Sequence, residues 1–474
     1  MFLSKDTNSN QWCKNEFSTI DFGDKRLNSR LVKTSERLLN LPEATLNQAC
    51  HGWSETKAAY RFFDNDRVTS KEMISSHQSE AFKRINDENM VLSIQDTTYF
   101  KFDSVVDNRR YEQKKKFEGM HGIVMHHTLG VSTDGTPLGV LTQKMYDRNI
   151  GSYRKNRREH QKLPIEEKES YRWIEALREC HELSKIKKIK FVTVCDRECD
   201  IYEFLNEAFI LNESYVVRSA KNRCLDDDKS YNIRSGKKLW DKIKKSKIKK
   251  RIEIEVPRTH GKKARLAKLT VRFGRQTLKP PQRRPSARSG ELFPVELNCI
   301  IVSEPRPPKG TEPLEWILLT DLEVETVEQA LEKIEWYKKR WTIESYHKVM
   351  KSGFRVEKSQ LQTVDRLKKF IALISVLAIH IHWMTYLTRE KPDLSCEVIL
   401  TKDEWQALDC KINRASKPSK KIPDLKTAVT WIAILGGYLN RNSDPPPGSM
   451  VLWRGWRRLA EIVDDWLIFR NTYG

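Results

Sequence analysis

Two apolar runs, Met90 to Ile94 and Ile189 to Cys195, each lead into an aspartate, Asp96 and Asp196, and the pattern around them restricts the fold. After the first run, two further apolar runs flank Asp134-Gly135-Thr136-Pro137, which predicts a meander of three strands. A helical segment with Trp173, Ile174, Leu177 and Leu183 follows, then the second aspartate-ended strand, then a helix through Ile201, Phe204 and Leu205. That order predicts mixed α/β structure with a parallel element. In an open sheet of this kind the carboxyl ends of the strands face one crevice, so two aspartates distant in sequence can meet there.

A third acid lies downstream, in the pattern Tyr-x2-Arg-x3-Glu-x6-Lys formed by Tyr337, Arg340, Glu344 and Lys351. Read as one helix, these four fall within about 60° of one another, and Ile343, Tyr346, Val349 and Met350 take the opposite face. Each feature also has a plain structural explanation. The stripe could be the solvated side of an amphipathic helix, Asp96 a turn acid, and Asp196 an N-cap followed by a first-turn acid, Glu198. Their order, two predicted strand-end aspartates and then a helical glutamate, favours a site. Three convergent carboxylates repel one another and take up protons unless a cation compensates. A hard divalent ion such as Mg2+ does so, with Mn2+ as the substitute. Two such ions would suit in-line displacement at phosphorus.

With 474 residues, 38% of them hydrophobic, the chain can bury a substantial core in two or three domains. Its net charge of +22 points to a polyanionic partner. Between Lys237 and Arg288 there are 20 Lys and Arg against 3 acids, yet Ile252, Ile254 and Val256, then Leu269, Val271 and Phe273, alternate as half-buried strands do. The expectation is a basic, strand-rich surface that binds phosphates without reading sequence. Nine cysteines without paired metal-ligand spacing are expected to be reduced thiols in a cytoplasmic, nucleoid-associated protein, with Cys195 and Cys199 as packing residues. Phe370 to Leu387, interrupted by His380 and His382, is expected to be a core helix, and no membrane role is indicated.

The first 67 residues predict a small helical unit, with Leu27, Leu31 and Leu38 at helical spacing and Ser54 as a helix N-cap. Arg26, Arg30 and Arg61 would form its basic face. A helical carboxyl-terminal part contains Leu435-Gly436-Gly437 and Trp453-Arg454-Gly455-Trp456.

Asp96-Thr97-Thr98, Asp196-Arg197-Glu198-Cys199-Asp200-Ile201 and the Tyr337, Arg340, Glu344, Lys351 signature together resemble the bacterial cut-and-paste DDE transposases of the IS-four type, including the transposon-five kind. Gly23 to Leu27 and Ala59 to Phe62 resemble that family's end-binding unit, and the two glycine motifs its carboxyl-terminal unit. The resemblance implies an RNase H-like mixed-sheet catalytic core with a β-strand insertion, flanked by helical N- and C-terminal domains. The divisions would be 1–67 for end binding, 68–390 for catalysis with the basic insertion at about 214–322, and 391–474 for dimerisation and DNA contact. It further implies a homodimer that pairs transposon ends on double-stranded DNA. Asp96, Asp196 and Glu344 would hold the ions, and Tyr337, Arg340 and Lys351 would contact phosphates. Arg218 and Lys348 resemble further backbone contacts, with a departure at Ala220, where the family pattern has a lysine. Trp316 and Trp341 match positions that stack on unpaired bases during hairpin formation, although a core tryptophan explains Trp316 equally well. The competing readings are an RNase H-like nuclease or resolvase, and a catalytically silent DNA-binding regulator.

Overall fold

The computed structural model describes residues 9–50, 52–86, 88–102, 122–147, 163–226, 237–256, 264–281, 292–441, 444 and 447–473. Parts of the basic stretch, 257–263 and 282–291, lie outside the described residues.

Among the described residues, nine strands, numbered along the chain with the ranges given below, form one sheet in the order β3-β2-β1-β4-β5-β9-β8-β7-β6. The predicted meander is β1 (Met90–Lys101), β2 (Gly122–Ser132) and β3 (Pro137–Asp147), all antiparallel. Gly135, at φ 111°, supplies the backbone conformation that the β2–β3 turn needs. β4 (Lys190–Cys195) and β5 (Ser214–Arg218) extend the sheet in parallel with β1. Four strands within the span of the expected insertion, β6 (Lys250–Val256) and β7 (Arg265–Leu278) of the basic stretch and β8 (Val295–Ser303) and β9 (Glu315–Thr320) after it, continue the same sheet. β9 joins β5 through only two residue pairs, Val217 with Leu319 and Arg218 with Leu318.

Side-chain alternation divides the strands between two cores. Leu92, Ile94, Val192, Val194 and Val216 belong to a cluster with residues of α10 (Trp341–Lys348) and α11 (Val364–Glu390). Cys195, Tyr215 and Val217 instead join Trp173 and Leu177 of α6 (Tyr171–Lys187) and Phe204 and Leu205 of α7 (Tyr202–Leu211). Asp96 has the parity of Ile94 and therefore shares the face on which α10 and α11 pack. Cys199 is fully buried with Cys195, as expected of packing residues. None of the nine cysteines is joined in a disulfide.

The helical N-terminal part comprises α1 (Ser9–Glu16), α2 (Lys25–Asn40), α3 (Leu46–Ala49) and α4 (Trp53–Asp64), followed by α5 (Ser70–Ile85). Ser54 is not the cap of α4. Gly52, at φ 97°, occupies the N-cap position, so the helix begins at Trp53. These helices pack on the sheet and on α11. Phe63 meets Phe370 edge to face at 5.7 Å, and Trp12 lies 4.6 Å from His380. Buried Glu16 of α1 accepts from His77 and from Arg84 of α5, while His77 Nε2 accepts the Val140 amide of β3 at 2.8 Å. α11 is the one described helix long and apolar enough to cross a membrane, and 89% of its apolar window is buried inside the protein, which is the expected core helix.

At the carboxyl-terminal end, α12 (Lys402–Asn413) and α13 (Leu425–Leu435) pack against α14 (Ser449–Tyr473). The two glycine motifs have a direct physical cause. A Cβ on Gly436 would stand 1.9 Å from the Val451 carbonyl oxygen, and one on Gly455 would stand 1.7 Å from that of Ile432. Only glycine permits this crossing of α13 and α14.

Candidate active site

β1 does not end at Asp96. The strand continues to Lys101 because β2 still offers partners as far as Gly122. What ends near Asp96 is the pairing with β4, whose last pair is Ile94 with Val194. Continued by two residues, this register sets Asp96 beside Asp196, which has left the ladder at the carboxyl end of β4. The sequence separation of the two acids is thus the offset of the parallel register itself.

Asp196 also serves as an N-cap. Its Oδ1 accepts the Glu198 amide at 2.8 Å and starts the single turn Arg197–Cys199. Asp96 Oδ1 accepts the Thr97 amide at 2.8 Å. Burial pushes the Asp96 carboxyl up to about 7, assisted by the charges of Asp196 and Glu344 and opposed by the Thr97 amide and Arg340. Three acids from two strands and a helix therefore act on one another electrostatically. Their all-oxygen chemistry suits a hard divalent cation. Glu344, however, accepts a hydrogen bond from Arg340, and among the described residues no three acids, histidines or cysteines stand in metal-holding geometry. Arg340 is thus the partner of the third acid.

The Tyr337–Lys351 segment is not one regular helix. α9 (Val327–Lys338), started by a Thr326–Gln329 capping box, ends just after Tyr337; α10 begins at Trp341 with Arg340 as its N-cap; and a π-helical turn, Val349–Gly353, contains Lys351. The single-helix projection therefore misplaces Tyr337. It is buried, 6.3 Å from the Trp316 ring, with the Arg340 guanidinium 6.0 Å from its own ring. The apolar side is as expected, with Ile343, Tyr346, Val349 and Met350 all buried. The wider π turn accompanies Lys351 at 5.7 Å over the Phe100 ring of β1, where burial pulls its ammonium pKa down.

Trp341 is 65% exposed beside this cluster, whereas Trp316 is partly buried against the core. Lys348 is exposed, and Arg218 is half-buried and donates to the Glu315 carbonyl at 3.2 Å. Arg26 and Arg61 are exposed on α2 and α4, and Arg30 is half-buried on α2. The basic stretch forms the expected strands, and its cations divide between them and the helix before them. Three strand cations are paired with acids, Arg265 with Glu304, Arg275 with Glu296 at 2.9 Å and Lys268 with Glu253 at 3.6 Å, while Arg272 donates to the Ser246 carbonyl at 3.1 Å and Lys250 and Arg251 are exposed on β6. The lysine-rich positions instead cluster on α8 (Leu239–Lys245) and the following segment to Lys250.

Several neighbours were assigned no role from the sequence. Asp200, fully buried, accepts the Ala220 amide at 2.6 Å, the Lys221 amide at 3.0 Å and the Ser219 hydroxyl at 3.2 Å, and pairs with Arg223. The loop after β5 is thus anchored through its backbone at the departure Ala220, whose side chain is exposed beside exposed Lys221. His127 stands opposite Asp96 in the β1–β2 ladder, and Gln143 stands opposite His127 in the β2–β3 ladder. His347 of α10 covers them, with Nδ1 3.8 Å from Asp96 Oδ2 and Nε2 3.0 Å from His127 Nδ1. The only hints were a His126-His127 pair inside an apolar run and a histidine three residues after Glu344.

Three family models match this chain. A transposase DNA-binding model matches residues 9–68, a transposase DDE domain model residues 193–380, and a transposase Tn5 dimerisation domain model residues 376–473. The DDE match includes Asp196 and Glu344 and begins downstream of Asp96. In this order the matches support a DNA transposase of the Tn5-like kind, a DNA-binding, homodimer-forming enzyme that depends on divalent metal ions. The mixed sheet, with helices on both faces and helical parts at both ends, is its RNase H-like core.

Proposed function

We propose that the chain is a bacterial, IS-four-type transposase that binds the inverted ends of its element, pairs them in a synaptic dimer, cleaves through a hairpin intermediate and transfers the 3′ ends into target DNA. The observation that supports this reading is the parallel register of β1 and β4, which sets Asp96 beside Asp196 just past the end of β4, with Glu344 close enough to raise the Asp96 pKa. Asp96, Asp196 and Glu344 would hold two divalent ions, Mg2+ in the cell with Mn2+ as substitute. Such ions, when bound, activate the attacking oxygen and stabilise the leaving one in phosphoryl transfer.

The chain's own residues supply the rest. Arg340 holds Glu344 in the free protein, and an incoming phosphate competes for its guanidinium fork, which releases the carboxylate. Lys351, half-buried over Phe100, gives a second cation for the same backbone, and buried Tyr337 positions Arg340 from beneath. Exposed Trp341 offers a platform for an unstacked base, worth roughly 1–3 kcal/mol, and Trp316 supports Tyr337 and is the lesser candidate for such stacking. Lys348, Arg218 and exposed Lys221 would extend the phosphate track, and Arg26, Arg30 and Arg61 would meet the end sequence. The domain division at 67 and 390, with the insertion at about 214–322, belongs to the same proposal, as does action at the bacterial nucleoid.

Glu344→Gln tests the assignment. It keeps the side chain's shape and removes its charge, so strand cleavage of end DNA is expected to fall by at least about a thousandfold, as for loss of a group acting on the transition state. Binding of end DNA in a gel-shift assay is expected to stay within a few-fold of the parent. Undiminished nicking by this variant overturns the assignment.

A further inference from the structure

The two sides of α4 are unlike. Glu55, Thr56, Ala59, Phe62 and Phe63 are buried, and Glu55, the acid of the first turn, pairs inward with Lys33 of α2 at 3.2 Å and Arg37 of α2 at 3.4 Å. At about 100° per residue, Trp53, Lys57 and Arg61 lie within about 80° of one another on the opposite side, along about 12 Å of helix. All three are exposed. The acid that shares this side, Asp64, is engaged at the far end by Arg366 of α11, whose Nε stands 2.7 Å away. The outward stripe is therefore an indole followed by two cations.

The Trp53 ring does not pack in the fold. It is 78% exposed, more than any other large apolar side chain among the described residues, and it joins none of their hydrophobic clusters. A ring of this size left in water forgoes the burial that aromatic side chains ordinarily supply, which marks a surface covered by a partner. Gly52, the N-cap, sets no side chain over the first turn, and the space beside its Cα is open. Trp53 thus leads the helix outward. The cations behind it fit a phosphate backbone, and the major groove of B-DNA, about 12 Å wide, admits one helix and is read by the residues at its N-terminal end. An uncharged indole gains little from phosphates beyond one N–H donor. What it can bury in that groove is the one apolar group on the base edges, the C5 methyl of thymine.

We propose that Trp53 is a specificity-determining residue for the element end: α4 enters the major groove by its N-terminus, Lys57 and Arg61 hold the duplex, and the Trp53 ring covers the methyl group of a thymine. The inference rests on the reading of the N-terminal part as the end-binding unit. It adds an apolar readout of one base pair, which the arginines of the same surface do not supply.

The test starts from the full-length parent protein and a pool of random-sequence DNA duplexes, from which bound duplexes are recovered and reselected; the enriched duplex is the probe. Each of its thymines is replaced in turn by deoxyuridine, which removes only the methyl group. One replacement is expected to weaken binding by the parent about three- to fivefold, as for one apolar carbon returned to water, and to cost Trp53→Ala nothing. Trp53→Ala is expected to lower the ratio of enriched-duplex to random-duplex affinity about tenfold. With 5-bromodeoxyuridine at the same position, ultraviolet crosslinking of the unmodified chain should attach the DNA at Trp53, and this arm stands even if the variant fails to fold. The proposal is overturned by the lack of any deoxyuridine penalty in the parent, by penalties that all persist in Trp53→Ala, by equal loss of both affinities in that variant, or by crosslinks that fall only on other residues. A parent that enriches no sequence from the pool contradicts the end-binding reading itself, and the inference with it.

Discussion

Replacing Asp96 by Asn is expected to stabilise the protein in the absence of divalent ions, by an amount that grows as pH rises above about 4 and is complete above about 7. In the folded protein burial pushes the carboxyl from its ordinary value of 3.8 up to about 7. Below pH 3.8 it is protonated in folded and unfolded chains alike, so the acid and the amide are equivalent. As pH rises from 3.8 to about 7, the unfolded chain ionises and the folded one does not, and the parent loses stability throughout that window. Above it the loss is complete. At about 1.4 kcal/mol per pH unit the interval corresponds to about 4 kcal/mol. The side chain keeps 20% exposure, so part of its hydration survives and a gap of roughly 2–4 kcal/mol is the expectation at pH 8. Chemical denaturation at pH 4 and pH 8 without metal, with native-state hydrogen exchange of the β1 and β4 amides as the local probe, measures it. A gap that is the same at both pH values, or an Asn variant less stable at pH 8, refutes the reasoning. Divalent ions should then stabilise the parent and leave Asp96→Asn nearly unaffected, because the charge cluster that costs stability is what binds the ion.

Buried Glu16 has the opposite sign. Burial raises its carboxyl, but Arg84 and His77 outweigh that and hold it down at about 2, from an ordinary 4.5. It therefore contributes stability of about 3 kcal/mol that is fully present above pH 4.5 and lost as pH falls toward 2. Denaturation of the parent and Glu16→Gln at pH 6 and pH 2.5 should show a gap that narrows in acid, and a constant gap would contradict the account. Gly455→Ala places a methyl group against the Ile432 carbonyl, a backbone atom that cannot step aside. A cost of at least about 1–3 kcal/mol in carboxyl-terminal packing is expected, visible as faster limited proteolysis of α13 and α14 and weaker dimerisation. Unchanged proteolysis would show that the helices separate without cost.

Much of the core was legible because it depends on local periodicity. Met90–Ile94, Ile189–Cys195 and Tyr215–Val217 are short apolar runs whose side chains are buried on both faces of a sheet, and Asp134-Gly135 marks a turn by its own backbone chemistry. The capping of Asp196 was equally legible, being a hydrogen bond between residues two apart. Ser54 was misjudged because a capping side chain competes with a glycine's backbone freedom at Gly52, and residue preference alone does not decide that contest. The Tyr337–Lys351 segment was misjudged for a similar reason. Projection at a constant angle assumes unbroken geometry, and packing against Phe100 and Trp316 instead divides it into two helices and a wide turn.

The amino-acid sequence by itself determined which chemistry is available: two acids, each leading out of an apolar run, a third amid cations, a charge excess suited to phosphates, and glycines where two helices must cross. These depend on residue type and short-range pattern. Only the tertiary structure decided that the parallel register sets Asp96 beside Asp196, that Arg340 pairs with Glu344, that Arg265, Lys268 and Arg275 of the basic stretch are paired with acids, and that Gln143, His127 and His347 lie in a row beside Asp96. The physical reason is that each is a contact between elements far apart in the chain, fixed by strand register and helix packing, and no periodicity within one element encodes it.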